Sequence, residues 1–281
     1  MVWLSSDVNE LFYIEKFFSF FEIHYDNGYN FLGESHNFWE CLYVLDGNIC
    51  VSGDERVYNL TKGEIIFHKP LELHKFYIDN KSGATLLIFS FSLGGKLSGY
   101  LQNKVFHLSD EQIGIVTSML NYIHNKLNDY RFPEDTLLYQ KYLIPFENIK
   151  TYSQMLTTYI YQLLLSLADD GSISKVLATP DALIFSKAIN YMNSQICVQP
   201  SVSEIADFCN ISEASLKRIF YKYSGIGVHK YFLKLKLKTA TELLENGSSV
   251  TETAEKLGFS SQAYFSAVFK RETGIRPSET K

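Results

Sequence analysis

The chain has 281 residues, which exceeds the usual size of one domain and leaves room for two. Hydrophobic residues at 46% and aromatic residues at 15% exclude an intrinsically disordered protein. The first residues, MVWLSSDVNELFYIEKFF, lack the cationic start of a signal peptide, and the longest apolar runs are far shorter than a membrane span. We therefore expect a cytoplasmic protein without a membrane partner.

Charge is distributed unevenly along the chain. Residues 182–281 carry 13 Lys and Arg against 9 Asp and Glu, a net of +4, whereas residues 1–181 carry 13 against 22, a net of −9. The basic end is the candidate for binding a polyanion. A stretch rich in Gly, Ser, Asp and Pro at 168–181 predicts a boundary between the two parts. We divide the chain into an N-terminal domain, a linker and a C-terminal domain: 1–170, 171–180 and 181–281.

The N-terminal domain begins with short runs at the period of a β-strand, separated by the turn sequences DG, SGD, TKG and NKSG. This spacing predicts a small antiparallel barrel or sandwich. The runs are FFEIHYD, HNFWECLYVLDG, NICVSGDERVYNL, GEIIFHKP, LHKFYID and ATLLIFSF.

Two helices are predicted after the strands. The first begins at the capping-box pair Ser109 and Gln112. The second, at 151–168, carries an apolar stripe at helical spacing. The stripe is either a dimer surface or a face that packs on the domain's own sheet. Its members are Leu156, Ile160, Leu163 and Leu167.

The C-terminal domain contains a repeat of helix, tight turn and helix, at 202–225 and 250–274. In the first copy Asn210 suits the turn and Ser212 the N-cap of the second helix. In the second copy Gly258 takes the turn and Ser260 is expected to cap. A predicted helix at 228–246 joins the copies and is about 27 Å long, enough to hold two helices near one DNA turn apart.

These features resemble the AraC/XylS family of transcriptional regulators, whose C-terminal domain has two helix-turn-helix units joined by a long helix. Two positions depart from the family pattern, because Lys236 and Ala267 stand where arginine is common. The resemblance rests on Gly258, Phe259, Tyr264, Phe265, Phe269, Lys270, Gly274 and Pro277.

The resemblance implies that the exposed faces of the two recognition helices contact neighbouring major grooves of double-stranded DNA. Arg218 or Lys217 suits a guanine, and Lys222 suits a phosphate. Gln262 suits an adenine. A purely structural pairing of Arg218 with a carboxylate is the alternative. The complete candidate set is Ser212, Ala214, Lys217, Arg218, Lys222, Ser261, Gln262, Ser266 and Lys270.

The N-terminal strands resemble the cupin-type sensor domain that many AraC-like regulators carry. Gly28 to Gly47 is similar to the first cupin motif, with Glu34 in place of its first histidine, and Gly63 to His74 to the second. The resemblance implies convergence of Glu34, His36, Glu40 and His74 on one effector site. Three interpretations stay open: a pocket for a polar molecule, a divalent metal site on His36, Glu40 and His74, or a structural His–carboxylate pair.

The predicted fold class is α+β, with a cupin-like barrel and helices followed by an all-α double helix-turn-helix domain. The predicted function is DNA-binding transcriptional regulation controlled by a small molecule, sugars being the family's best-known effectors. RNA polymerase and a second copy of the chain are the other implied partners. We expect neither catalysis nor an obligatory cofactor. The alternative is a cupin metalloenzyme or metal sensor fused to a DNA-binding tail.

Overall fold

The computed structural model describes residues 7, 9–54, 56–128, 138–170, 172–173 and 179–280. Its N-terminal part is an antiparallel sheet covered by helices, and its C-terminal part is helical. This is the α+β organisation that the sequence predicts. The predicted linker, 171–180, falls largely outside the described residues.

The described strands form one antiparallel sheet in the order β1-β6-β2-β4-β7-β8, with β3 and β5 paired to the far half of β2. Pairings among these strands do not close the sheet, so the predicted barrel is an open, folded-over sheet. The strands are β1 Tyr13–Tyr25, β2 Trp39–Gly53, β3 Arg56–Thr61, β4 Glu64–His68, β5 His74–Tyr77, β6 Ala84–Gly94, β7 Val105–His107 and β8 Ser172–Ile173.

The long strand β2 turns the corner of the sheet. Its first half pairs with β4 and β6, and Asn48–Gly53 pairs with β3 and β5. The sequence predicts a strand break at Asp46–Gly47, but the chain instead passes through a bulge there with a φ of 81° at Gly47. A Cβ at Gly47 would lie 2.4 Å from the Gly83 carbonyl oxygen, so only glycine fits this corner.

Alternation along β2 divides the apolar side chains between two cores. Cys41 and Tyr43 pack into the core that the helices cover, whereas Leu42 and Val44 pack between the two halves of the folded sheet. Glu40 is two residues before Leu42 and therefore points to the same side. This places a buried carboxylate inside the folded sheet.

Among the described residues, three helices cover one face of the sheet: α1 Asp110–Asn128, α2 Leu138–Asn148 and α3 Tyr152–Asp170. The predicted capping box is present, because the Ser109 amide donates to Gln112 Oε1 at 2.9 Å and the Gln112 amide to Ser109 Oγ at 3.3 Å. The predicted stripe on α3 lies in the core of this domain. Its interpretation as a dimer surface is therefore wrong, and the open alternative, packing on the domain's own sheet, is correct.

Six helices form the C-terminal domain: α4 Pro180–Ser194, α5 Val202–Cys209, α6 Glu213–Ser224, α7 Val228–Glu245, α8 Val250–Lys256 and α9 Gln262–Thr273. The pairs α5–α6 and α8–α9 are the two predicted helix-turn-helix units, and α7 joins them. The first unit shares a core with α4 and α7, whereas α8 and α9 pack around the C-terminal half of α7.

The turns form largely as predicted. Asn210 adopts the left-handed conformation with a φ of 58°, and Ser212 caps α6. Gly258 has a φ of 65°, and a Cβ there would lie 2.2 Å from the Cys197 carbonyl oxygen. The expected cap at Ser260 is wrong, because Ser261 Oγ accepts from the Tyr264 amide and α9 begins one residue later. No described helix is long and apolar enough to cross a membrane.

Because Leu163 is fully buried in the sheet–helix core, Leu163→Glu should unfold the N-terminal domain rather than separate two copies of the chain. We expect a loss of about 3 kcal/mol or more in the free energy of unfolding, measured by urea denaturation. Leu165→Glu on the exposed side of the same helix is the matched control and should change stability little. A Leu163→Glu protein with wild-type stability that sediments as a monomer would restore the dimer interpretation.

Candidate functional site

The first recognition helix, α6, exposes its predicted DNA contacts on the side opposite its core stripe. Ala214 and Lys217 are exposed, and Ser212 Oγ accepts from the Ser215 amide at 3.2 Å. Lys217 Nζ donates to Glu213 Oε2 at 2.9 Å, one turn earlier. This is an exposed ion pair, which contributes little to stability and leaves the lysine available to another anion.

Arg218 already has a carboxylate partner. Its two terminal nitrogens donate to the two Asp181 oxygens at 3.0 and 3.2 Å, and Lys222 Nζ lies 3.7 Å from Asp181. The hydrogen bond from Arg218 lowers the pKa of Asp181, so the carboxylate stays charged. The two N–H groups of Arg218 that could donate to a guanine therefore already donate to Asp181 at the start of α4. Arg218 must exchange Asp181 for the guanine in order to contact that base.

The second recognition helix, α9, offers fewer charges. Gln262 Oε1 accepts from Thr251 Oγ1 at 3.1 Å, Ser266 is half-buried, and Lys270 is exposed. The sequence pattern does not single out the exposed ring of Tyr264 on this helix, or that of Tyr221 on α6, as a DNA contact. Both are large exposed aromatic residues in a basic domain, and large apolar groups on a surface indicate a binding site.

Lys236, which stands where the family commonly has arginine, has a structural position. It is buried, and its Nζ donates to the Leu257 carbonyl oxygen at 2.8 Å. The ammonium also lies 5.3 Å from the ring of Phe232 and 5.4 Å from that of Phe259. Lys236 thus links α7 to the turn between α8 and α9.

In the N-terminal domain the four predicted effector residues meet. Glu34, His36, Glu40 and His74 each offer one ligand atom, and these atoms lie within 4.8 Å of one another. His74 Nε2 is 3.3 Å from Glu40 Oε1 and 3.7 Å from Glu34 Oε1, and His36 Nε2 is 3.6 Å from Glu40 Oε2. We call these four residues the sensor cluster. His36 lies in the segment before β2, and Glu40 lies on β2 itself.

The cluster is strongly coupled. Burial alone would raise the pKa of Glu40, but His36 and His74 outweigh it and lower the pKa well below the usual range. Burial alone would lower the pKa of His74, but Glu34 and Glu40 raise it to about 10. The fold therefore holds negative charge on Glu40 and favours positive charge beside it.

Further polar residues surround the cluster. Ser90 Oγ donates to Glu40 Oε2 at 3.2 Å, and His68 lies opposite Glu40 in the sheet with its ring stacked on His74. Burial and the neighbouring His74 lower the pKa of His68, which keeps it neutral. A cavity of about 400 Å³ adjoins the cluster, and Phe18 and Phe38 line its apolar wall.

The backbone around the cluster touches α6. Glu34 and His74 exchange two backbone hydrogen bonds of 3.0 Å. The next residue, Lys75, donates from Nζ to the Tyr221 carbonyl oxygen at 2.9 Å, and Ser52 Oγ donates to the carbonyl oxygen of Tyr223. The sensor cluster and the end of the first recognition helix therefore lie on either side of one strand.

A buried carboxylate adds a second connection between the domains. Asp54 Oδ2 lies 3.0 Å from Lys69 Nζ in its own domain and 2.6 Å from Lys238 Nζ on α7. Its carbonyl oxygen accepts from the Tyr231 hydroxyl at 2.8 Å. Apolar residues Cys50, Val57 and Leu73 join the core of the first helix-turn-helix unit. No sequence motif predicted this interface.

Comparison with known proteins supports the division into these two domains. Residues 13–104 match the model of an AraC-like ligand binding domain, and residues 205–281 match that of a helix-turn-helix domain. The HTH-type regulator YfiF of Bacillus subtilis is 26% identical over 273 residues, 92% of this chain and 82% of that one. The Msm operon regulatory protein of Streptococcus mutans is 24% identical over 259 residues, 90% and 87% of the two chains.

Among solved structures, ToxT from Vibrio cholerae is 15% identical and aligns over 95% of this chain and 96% of its own, with a TM-score of 0.37.

A ligand-binding domain followed by a double helix-turn-helix domain defines a DNA-binding transcriptional regulator that a small molecule controls. The chain belongs to the AraC type of these regulators.

Arg218→Ala should weaken binding to the cognate DNA site by about 1–3 kcal/mol and relax preference at one base pair, because a bidentate base contact is lost. Lys222→Ala should weaken all sequences alike and reduce the salt dependence. Fluorescence titrations on cognate and scrambled duplexes measure both. Lys62→Ala, an equal loss of charge on the N-terminal domain, is the control. Wild-type affinity of Arg218→Ala for both duplexes would limit its role to the Asp181 pair.

Proposed function

We propose that the sensor cluster and its adjoining cavity bind the effector. We further propose that effector binding changes the DNA affinity of the protein through direct contact between β5 and the first recognition helix. The observation that supports this is the adjacency of His74 and Lys75. Successive residues of a strand point to opposite sides. His74 therefore faces the cluster while Lys75 bonds to Tyr221 at the end of α6.

The residues opposite β5 strengthen the same connection. A Cβ at Gly33 would lie 3.1 Å from both the His74 and the Ser224 carbonyl oxygens. The chain at Gly33–Glu34 is thus packed between β5 and the end of α6. A ligand that draws Glu34 and His74 together must move backbone that α6 touches. Coupling of this kind is typically worth 1–3 kcal/mol, or about 5–150-fold in affinity.

We propose that the docked arrangement opposes DNA binding. The N-terminal part carries a net charge of −9 and is held against the first recognition unit, which must approach DNA phosphates. Like charges near a polyanion reduce its affinity for the protein. Release of the interface then allows the acidic domain to move away, and the effector shifts the balance between the two arrangements.

The remaining parts of the proposal concern partners and location. We propose a cytoplasmic homodimer that recruits RNA polymerase, with its dimer contact outside the buried stripe of α3. We propose regulation rather than catalysis as the role of the sensor cluster, because the strand that carries His74 also carries the contact with α6. Relatives that align over most of the chain are named as regulators, which supports this reading.

Lys238→Gln tests the docking. It removes the bond from α7 to Asp54 while Lys69 still pairs with that carboxylate, so the N-terminal domain should remain folded. We expect DNA affinity of the full chain at least about 5-fold above that of Lys230→Gln. The latter removes the same charge from an exposed position on the same helix. Equal affinities of the two variants, measured by titration at one salt concentration, would contradict control by docking.

A further inference from the structure

A cavity of about 610 Å³ lies between the two helix-turn-helix units. It is bounded by the segment before α5, by α7, by the turn between α8 and α9, and by α9 itself. Its volume is in the range of pockets that bind small molecules. We call it the inter-unit cavity, and none of the predicted DNA contacts is among the described residues that line it. Its lining includes Gln199, Phe232, Lys236, Phe259, Tyr264 and Arg271.

Lys236 brings a buried positive charge to the inter-unit cavity. The residue is 4% exposed, and one N–H group of its ammonium donates to the Leu257 carbonyl oxygen. The ammonium makes no other hydrogen bond with the described residues, and its Nζ would lie 3.9 Å from a Cβ at Gly258, which also lines the cavity. A buried ammonium with unused N–H groups favours an anion in the space beside it.

Arg271 adds a second positive charge from α9. Its Nε donates to Glu272 Oε1 at 2.8 Å, and its two terminal nitrogens make no hydrogen bond with the described residues. The described residues of the lining carry three lysine or arginine side chains and one glutamate, a net of +2. A guanidinium and an ammonium together suit a doubly charged anion, and phosphate is the group that arginine and lysine both bind well.

The inter-unit cavity also has an aromatic wall. The ring of Tyr264 is 55% exposed, and its centroid lies 6.3 Å from that of Phe259. A large exposed ring at the edge of a cavity indicates a binding surface, and a flat ring can stack on it. The lining therefore suits a ligand that has a phosphate at one end and an aromatic ring at the other.

The cavity opens on the side of α9 that faces away from two of its predicted DNA contacts. Tyr264 and Arg271 follow Gln262 by two and nine residues, so at about 100° per residue they lie roughly 180–200° around the helix from it. Ser266 lies only about 40° from Gln262. A molecule in the cavity therefore leaves Gln262 and Ser266 available to DNA.

We propose that the inter-unit cavity binds a phosphate monoester that carries an aromatic ring, which is the chemistry of a nucleotide. The phosphate accepts from Lys236 and Arg271, and the ring packs on Tyr264. Because the lining connects the segment before α5 with α7 and α9, the ligand holds the two helix-turn-helix units in one relative position. The site is separate from the sensor cluster and does not depend on docking of the two domains.

Calorimetric titration of the full-length chain with phenyl phosphate tests the site, with phenol and inorganic phosphate as the two halves of the probe. We expect one phenyl phosphate per chain, bound at least about 10-fold more tightly than either half. Arg271→Gln and Tyr264→Ala should each weaken this binding at least about 5-fold. Both positions are exposed, so the second unit should remain folded. Lys236 is left in place because it also binds the Leu257 carbonyl oxygen.

Arg276→Gln and Phe208→Ala are the matched controls, because they remove an exposed arginine and an exposed ring from other parts of the C-terminal domain. Wild-type binding by both controls, with weaker binding by Arg271→Gln and Tyr264→Ala, supports the assignment. Absence of a one-to-one complex overturns it. Equal binding of inorganic phosphate alone, or binding that all four variants alter alike, also overturns it.

The same titration in the presence of saturating duplex DNA distinguishes a free ligand from a phosphate of the DNA backbone. We expect phenyl phosphate still to bind one-to-one, because its site faces away from Gln262 and Ser266. Complete loss of phenyl phosphate binding in the DNA complex would assign the cavity to the DNA backbone and overturn the proposal.

Discussion

The backbone pair between Glu34 and His74 is the constraint on which the two functional regions depend. Two reciprocal hydrogen bonds join a loop residue to a short strand, and this brings an acidic side chain and an imidazole to one buried place. The flanking residues Gly33 and Lys75 face the end of α6. Any change of spacing across this pair therefore acts on the cluster and on the recognition helix together.

The domain interface combines apolar and charged contacts. Cys50, Val57 and Leu73 extend the core of the first helix-turn-helix unit, whereas Asp54 forms an ion pair with one lysine from each domain. A buried carboxylate left without a partner is costly, and Lys69 gives Asp54 a partner within the N-terminal domain itself. The second unit has its own core around α9, which leaves it outside this connection.

Much of this organisation is readable from the sequence. Turn residues Asn210 and Gly258 predict both helix-turn-helix units because they act over a few residues. The resemblance to the cupin motifs implies the meeting of Glu34, His36, Glu40 and His74, which the structure shows. Local sequence patterns also give one wrong prediction. Asp46–Gly47 is typical of a turn, but the chain forms a bulge there, because its conformation depends on the contact of Gly47 with Gly83, which is distant in sequence. Helix α2 was missed because Pro145 inside it disfavours a helix. Docking depends on pairs such as Asp54 and Lys238, 184 residues apart, for which no local pattern exists.

Amide hydrogen exchange of the full chain, compared between the wild-type protein and the Glu34→Gln variant, tests the central claim most directly. Exchange reports local opening of each segment, and α9 serves as an internal reference. We expect the substitution to change exchange jointly in residues 31–36, 73–77 and 219–225, and not in residues 262–273. A change confined to the first two segments, with the end of α6 unaffected, would contradict communication between the sensor cluster and the recognition helix.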